Sequence, residues 1–206
     1  MGFERTDSTM SGIDLNALIG SRICHDLISP LGAIGNGVEL LQMSGQAQGP
    51  ELALISESVE NANARIRFFR VAFGAASAEA SMARSEIMGI LDATYRSGRV
   101  SVRWTLDGDR PRRDVKLAYL AIQCVEGYLP RGGTITVSET GNAWRVSGHG
   151  ERLRDDQMLW ELARGRAMPE RLPASDVHFA LLPLAAGDAG RSLSVALGED
   201  TVTVSF

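Results

Sequence analysis

The chain has 206 residues, 44% of them hydrophobic, and a formal charge of −4 from 21 basic and 25 acidic side chains, enough apolar material for one large domain or two small ones. The arginines are interspersed with acids, which argues against a nucleic-acid footprint, and two cysteines, Cys24 and Cys124, are too few for a disulfide framework or a four-ligand zinc site. Residues 1–11 lack the apolar segment of a secretion signal and no apolar run nears the roughly 20 residues of a membrane helix, so a cytoplasmic protein with no membrane partner is expected.

Residues 1–12 are expected to form a flexible N-terminus, and Asp14 suits the N-cap of a helix extending to about Met43. The segment Ser44-Gly45-Gln46-Ala47-Gln48-Gly49-Pro50 ends that helix and turns the chain. Its apolar residues Leu27, Leu31, Ile34, Val38 and Leu41 are spaced by four, three, four and three, which at roughly 100° per residue gathers them into one narrow stripe. Pro30 deprives the Asp26 carbonyl of its amide partner, so a bend is expected one turn beyond His25. A second helix, from about Glu51 to Ala78, carries Leu52, Ile55, Val59, Ala62, Ile66, Phe69 and Phe73 at helical spacing and should pack antiparallel to the first. Two such helices leave much of each stripe in water. The hairpin over 13–80 is therefore expected to pair with a second copy as a four-helix bundle, although packing against the C-terminal half would cover the same surface.

From about Ser81 the texture changes to alternating elements: a helix near 86–96, a strand at 99–106, a helix near 114–128 and strands at 133–138 and 143–147. Short helices near 155–163 and 176–186 follow, then a hairpin of 192–197 and 201–206 around Gly198-Glu199-Asp200. The fold class is α+β, a helical hairpin followed by an α/β sandwich over 81–206.

His25 falls roughly 160° from Leu27 on the helical wheel, where no core can use it. Ser21, Arg22, Ser29, Gly32 and Asn36 share its face, and all are small or polar. Such a face lets another macromolecule come close to the ring, with Arg22 to neutralise an anion and Ser29 or Asn36 to donate hydrogen bonds. Gly32, Gly35 and Gly37 each cost a helix about 1 kcal/mol relative to alanine, which implies close packing there. Duller explanations exist: Arg22 and Asp26 would make an ordinary surface pair worth about 0.3 to 0.5 kcal/mol, and Arg65, Arg67 and Arg70 are a charge cluster of the kind usually solvated. His149 and His178 lack metal-ligand spacing and are assigned structural or surface roles.

The run His25-Asp26-Leu27-Ile28-Ser29-Pro30-Leu31 is similar to the phosphoacceptor motif of sensor histidine kinases: histidine, an acid, two variable positions, Thr or Asn, proline and an apolar residue. Ser29 departs conservatively. The segment from Tyr128 through Pro130 and Gly133 to Val137 resembles the end of a helix and the next strand of the kinase nucleotide domain, and the stretch from Asp188 through the last hairpin resembles that domain's end. The residues that would hold ATP are missing. The magnesium-binding asparagines fall on or near Leu120 and Cys124, the adenine-reading aspartate is replaced by glycine within Val146-Ser147-Gly148-His149-Gly150, and the glycine-rich lid before Phe179 by Pro173-Ala174-Ser175-Asp176.

A kinase-like dimer with a histidine but no nucleotide pocket resembles the alphaproteobacterial histidine phosphotransferases of the ChpT type. The resemblance implies transfer of a phosphoryl group from the receiver domain of a hybrid sensor kinase to downstream response regulators, with His25 as acceptor at Nε2. Asp26 would orient the ring or stabilise its charge. Arg22 and Ser29 would contact the phosphoryl group or the receiver, on a surface that includes Gly32 and Asn36. Magnesium would be carried by the receiver, and the chain itself would need no cofactor or metal. Such transfer asks for a positioned nucleophile and charge compensation, and an imidazole is largely neutral at cytoplasmic pH. Two other readings stay open: a kinase with an unusual ATP site, and a non-catalytic dimeric adaptor.

Overall fold

The computed structural model describes residues 14–44, 50–77, 79–154, 156–166 and 169–206. The expected flexible segment 1–12 and residues 45–49 of the expected connector lie outside the described residues.

Asp14 opens the first helix, α1 (Leu15–Ser44), its Oδ1 accepting the amides of Asn16 at 3.0 Å and Ala17 at 3.2 Å. The helix continues through Pro30, whose missing N–H leaves the Asp26 carbonyl without its usual donor. Helix α2 (Pro50–Ala72) starts with proline at a first-turn position that needs no amide. The two run antiparallel: Asp26 meets Arg65, while Ser29, Pro30 and Ala33 border Ser58 and Asn61. The second helix ends short of Ala78, because the chain folds at Gly74 so closely that a Cβ there would lie 2.2 Å from the Arg70 carbonyl oxygen. Arg112 Nη2 and Lys116 Nζ cap this end, donating to the carbonyls of Arg70 at 3.0 Å and Gly74 at 2.9 Å. Along the hairpin, Leu31, Val38, Val59 and Ile66 stand exposed in the single chain. No helix among the described residues is long and apolar enough to cross a membrane.

The second half begins with β1 (Ser81–Met82), then α3 (Arg84–Tyr95), β2 (Val100–Trp104), β3 (Arg110–Pro111) and α4 (Arg112–Gly127). It continues with β4 (Gly133–Thr140), β5 (Ala143–His149), α5 (Gln157–Ala163), a 3-10 turn at Ala174–Asp176, α6 (Val177–Asp188), β6 (Ser194–Leu197) and β7 (Thr201–Ser205). The main sheet has the order β2-β4-β5-β7-β6, with β2 parallel to β4 and the other pairs antiparallel. β1 and β3 form a separate antiparallel pair that the sequence pattern does not announce, being two residues each. Alternation in β5 buries Trp144, Val146 and Gly148 and exposes Arg145 and His149, the pattern of a sheet covered on one face by helices.

Helix α4 is the centre of this sandwich. Val115, Leu117, Ala118, Leu120, Ala121, Ile122, Cys124 and Val125 are all fully buried, so α4 packs on every side, against the sheet, α2 and α6. Its contact with β5 is tight at one point: a Cβ on Gly148 would lie 2.3 Å from Val125 Cγ1. Because Val125 has no space to retreat, Gly148→Ala should cost about 1 to 3 kcal/mol of stability. A thermal melt of the variant should show a midpoint lower by several degrees, about 2–4 °C per kcal/mol for a chain of this size.

Candidate functional site

One turn before Pro30, the His25 side chain is 81% exposed, and its Nδ1 lies 3.1 Å from Asp26 Oδ1. An ionised carboxylate can only accept, so this contact is a hydrogen bond when Nδ1 carries a proton, and in the neutral ring that tautomer leaves the Nε2 lone pair free. The Asp26 side chain is only 9% exposed and sits between two guanidinium groups, Arg22 Nη2 at 3.1 Å from its own helix and Arg65 Nη1 at 3.6 Å from α2. Arg65 is thus more than the solvated charge its spacing suggests.

Ser21, Ser29, Gly32 and Asn36 are exposed beside the ring, on the face the wheel assigns them. Arg22 turns inward instead: Nη2 is on Asp26, and Nη1 donates to the Ser175 carbonyl oxygen at 3.0 Å, across 153 residues of sequence. Beyond the helix's own backbone, a Cβ on Gly32 or Gly35 would meet nothing within 4 Å among the described residues, which leaves the close packing expected there to a partner hairpin or a receiver helix.

Behind Asp26 a cleft of about 100 Å³ is lined by Arg22, Arg65, Tyr95, Arg99, Gln123 and Glu126, among others. Tyr95 Oη donates to Glu126 Oε2 at 2.9 Å. Burial pushes the Glu126 carboxyl up from its ordinary range, against the opposing pull of the Tyr95 hydrogen bond and of Arg22 and Arg65. Burial likewise raises the Tyr95 phenol, with Glu126 adding to the effect. No short-range sequence signal marks this cluster, which draws on α1, α2, α3 and α4.

Two positions at which the sequence leads one to expect that ATP-holding residues are missing lie inside the sandwich. Leu120 and Cys124 are fully buried, and burial pushes the Cys124 thiol well up. Trp160 is fully buried in the space between α4, α5 and α6, in edge contact with Tyr128 at 5.2 Å and Phe179 at 5.1 Å between ring centres. Among the described residues, no group of three or more His, Cys, Asp or Glu side chains is placed to hold a metal ion.

Comparison with known proteins agrees with this architecture. The family profile of the histidine phosphotransferase C-terminal domain matches residues 84–201. The protein phosphotransferase ChpT of Brucella abortus (strain 2308) is 38% identical over 203 residues, covering 94% of this chain and 96% of its own. The chain belongs to the histidine phosphotransferase family. A solved bacterial phosphotransferase matches the fold with a TM-score of 0.78 at 34% identity, covering 96% of this chain and 97% of its own. This phosphotransferase therefore functions in phosphorelay, and its helical hairpin followed by an α/β sandwich is the fold of its solved relative.

In the phosphotransferase, His178 is 2% exposed on α6 and neither ring nitrogen has a hydrogen-bond partner among the described residues. Burial first, then the charges of Arg22 and Arg154, push its pKa down to about 3. The folded chain holds this ring neutral where the unfolded chain protonates it near pH 6.5, so its contribution is intact above about pH 6.5 and is lost as pH falls toward 3. This one group should add a slope of up to about 1.4 kcal/mol per pH unit to the acid limb. Urea unfolding at pH 7 and pH 5 should show a larger loss for the wild type than for His178→Gln.

Proposed function

We propose that this phosphotransferase relays a phosphoryl group through Nε2 of His25, taking it from the receiver domain of a hybrid sensor kinase and passing it to the receivers of response regulators in the cytoplasm. The observation that carries this reading is a solvent-facing imidazole whose other nitrogen is held by a nearly buried carboxylate. The Nε2 lone pair attacks the phosphorus of a receiver's aspartyl phosphate. An N–P bond forms, the P–O bond to the receiver breaks, and the receiver carboxylate leaves with the bonding pair. The ring retains its proton on Nδ1, and the positive charge that develops on it lies against Asp26. The reverse step delivers the phosphoryl group to the next receiver. Magnesium belongs to the receiver in this scheme, and the chain's own contribution is orientation and charge.

The surface around the ring suits such a partner. Ser29 and Asn36 offer hydrogen bonds, Gly32 leaves room for a close approach, and Arg22 acts through Asp26. The replaced lid and the buried Leu120 and Cys124 support a chain that draws its phosphate from a receiver and not from a nucleotide.

The expected result with a receiver carrying labelled phosphate is transfer to the wild type and none to His25→Ala. Asp26→Asn should retain the nucleophile and an acceptor oxygen but lose the negative charge that orients and stabilises the ring, slowing transfer by about 10- to 100-fold, the range of one hydrogen bond to a charged group. Labelling of His25→Ala at the wild-type rate would reject the assignment.

The hairpin supports a homodimer. Leu31, Val38, Val59 and Ile66 leave an apolar stripe in water that a second hairpin would cover as a four-helix bundle. Sedimentation should show a dimer for the wild type and a monomer for the double variant Leu31→Glu with Val38→Glu, helical content being retained in both.

A further inference from the structure

We propose that the turn at Pro173–Asp176 of the sandwich braces the acceptor histidine from across the molecule, which makes Arg22, Arg154 and Asp176 positioning residues for phosphoryl transfer. This rests on His25 being the acceptor. Three contacts in series cross from the sandwich to the hairpin. The Ser175 carbonyl oxygen accepts Arg22 Nη1 at 3.0 Å, Nη2 of the same guanidinium meets Asp26 Oδ2 at 3.1 Å, and Asp26 Oδ1 accepts Nδ1–H of His25 at 3.1 Å. A guanidinium is a rigid planar fork, so anchoring one nitrogen on the turn sets the direction of the other, and with it the carboxylate that holds the ring.

The turn is itself built to stay in place. The Asp176 amide donates to the Pro173 carbonyl at 2.9 Å, and its carboxylate, 9% exposed, meets Arg154 Nη1 at 3.2 Å. Arg154 in turn holds Asp156 through Nη2 at 2.8 Å, and its amide donates to the Tyr128 carbonyl at 3.0 Å. Asp156 caps α5 by accepting the Leu159 amide at 3.4 Å. The turn is therefore fastened to both α5 and the end of α4. Arg65 supplies a second positive charge to Asp26 from farther away, at 3.6 Å. Loss of Arg22 would leave the carboxylate compensated but unaimed. By this account the sandwich serves the histidine as a brace.

The test uses the full chain, with single-turnover transfer from a receiver labelled on its aspartate measured across receiver concentrations, together with ¹⁵N spectra of the histidine rings. Arg22→Lys keeps the charge but replaces the fork with one ammonium that cannot hold both partners, and Arg154→Ala unfastens the turn without touching His25 or Asp26. Each should lower the maximal transfer rate by about 5- to 20-fold, the scale of one misaligned charge-assisted hydrogen bond. The half-saturating receiver concentration should stay within about twofold, since these side chains act on the ring and not on docking. The His25 signals should shift from the Nδ1–H form toward a mixture of tautomers. An unchanged maximal rate and tautomer in Arg22→Lys would overturn the proposal, as would a loss confined to half-saturation. Should Arg154→Ala fail to fold, Arg22→Lys decides alone. His25→Ala separates the two levels: label on that variant rejects the acceptor assignment, whereas a silent His25→Ala beside a full-rate Arg22→Lys rejects the brace alone.

Discussion

The carboxylate of Asp26 joins the two helices of the hairpin and, through Arg22, reaches the sandwich. A side chain 9% exposed cannot carry a negative charge without compensation, because stripping one partner from a buried pair costs several kcal/mol. Here compensation comes from both helices of the hairpin, through Arg22 and Arg65, and Arg22 is itself tied to the sandwich at Ser175. Helix pairing, domain docking and the direction of one imidazole proton are therefore linked through two oxygen atoms. The outermost link is the weakest: a pair whose histidine is largely in water contributes at most about 1 kcal/mol to stability. That is sufficient for its task, since about 1.4 kcal/mol already sets a tenfold preference between tautomers.

The interior of the sandwich is close apolar packing around α4. A helix that ligates a metal must keep polar side chains on an accessible face, yet α4 buries Leu120 and Cys124 completely. Gly148 on β5 is pressed against Val125 and Leu129. Trp160 fills the adjoining space with its ring nearly perpendicular to those of Tyr128 and Phe179. Close packing of this kind gives the rigid support that a fixed turn at 173–176 requires.

The hairpin and His25 were legible in the sequence because both depend on local geometry. A 3.6-residue period places Leu27 and Leu31 on one side and an imidazole among serines and glycines on the other, with no information needed from distant residues. The direction of Arg22 was not legible, since it is decided by a carbonyl 153 residues away. Arg65 was hidden for the same reason: a run of arginines on a helix reads as solvated until a carboxylate on the neighbouring helix faces one of them. The early end of α2 depends on the fold at Gly74 and on caps from Arg112 and Lys116, which again are contacts over distance. β1 and β3 are too short for a two-residue alternation to register.

Among the described residues, Leu31 and Val38 on one side of α1 and Gly32 and Asn36 on another are exposed, and their angular separation constrains how they can be used. Leu31 and Val38 lie roughly 120–140° around the helix from His25, whereas Gly32 and Asn36 lie within roughly 20° of it. A dimer formed through Leu31 and Val38 would cover the apolar face without approaching the ring. Both imidazoles of such a dimer would stay open, each with its own Asp26, Arg22 and Ser175 behind it. The open space at Gly32, where a Cβ would meet nothing within 4 Å among the described residues beyond its own helix backbone, then has a physical use. A receiver must bring an aspartyl phosphate within reach of a ring standing on a helix, and side chains larger than hydrogen beside that ring would hold the partner's surface away.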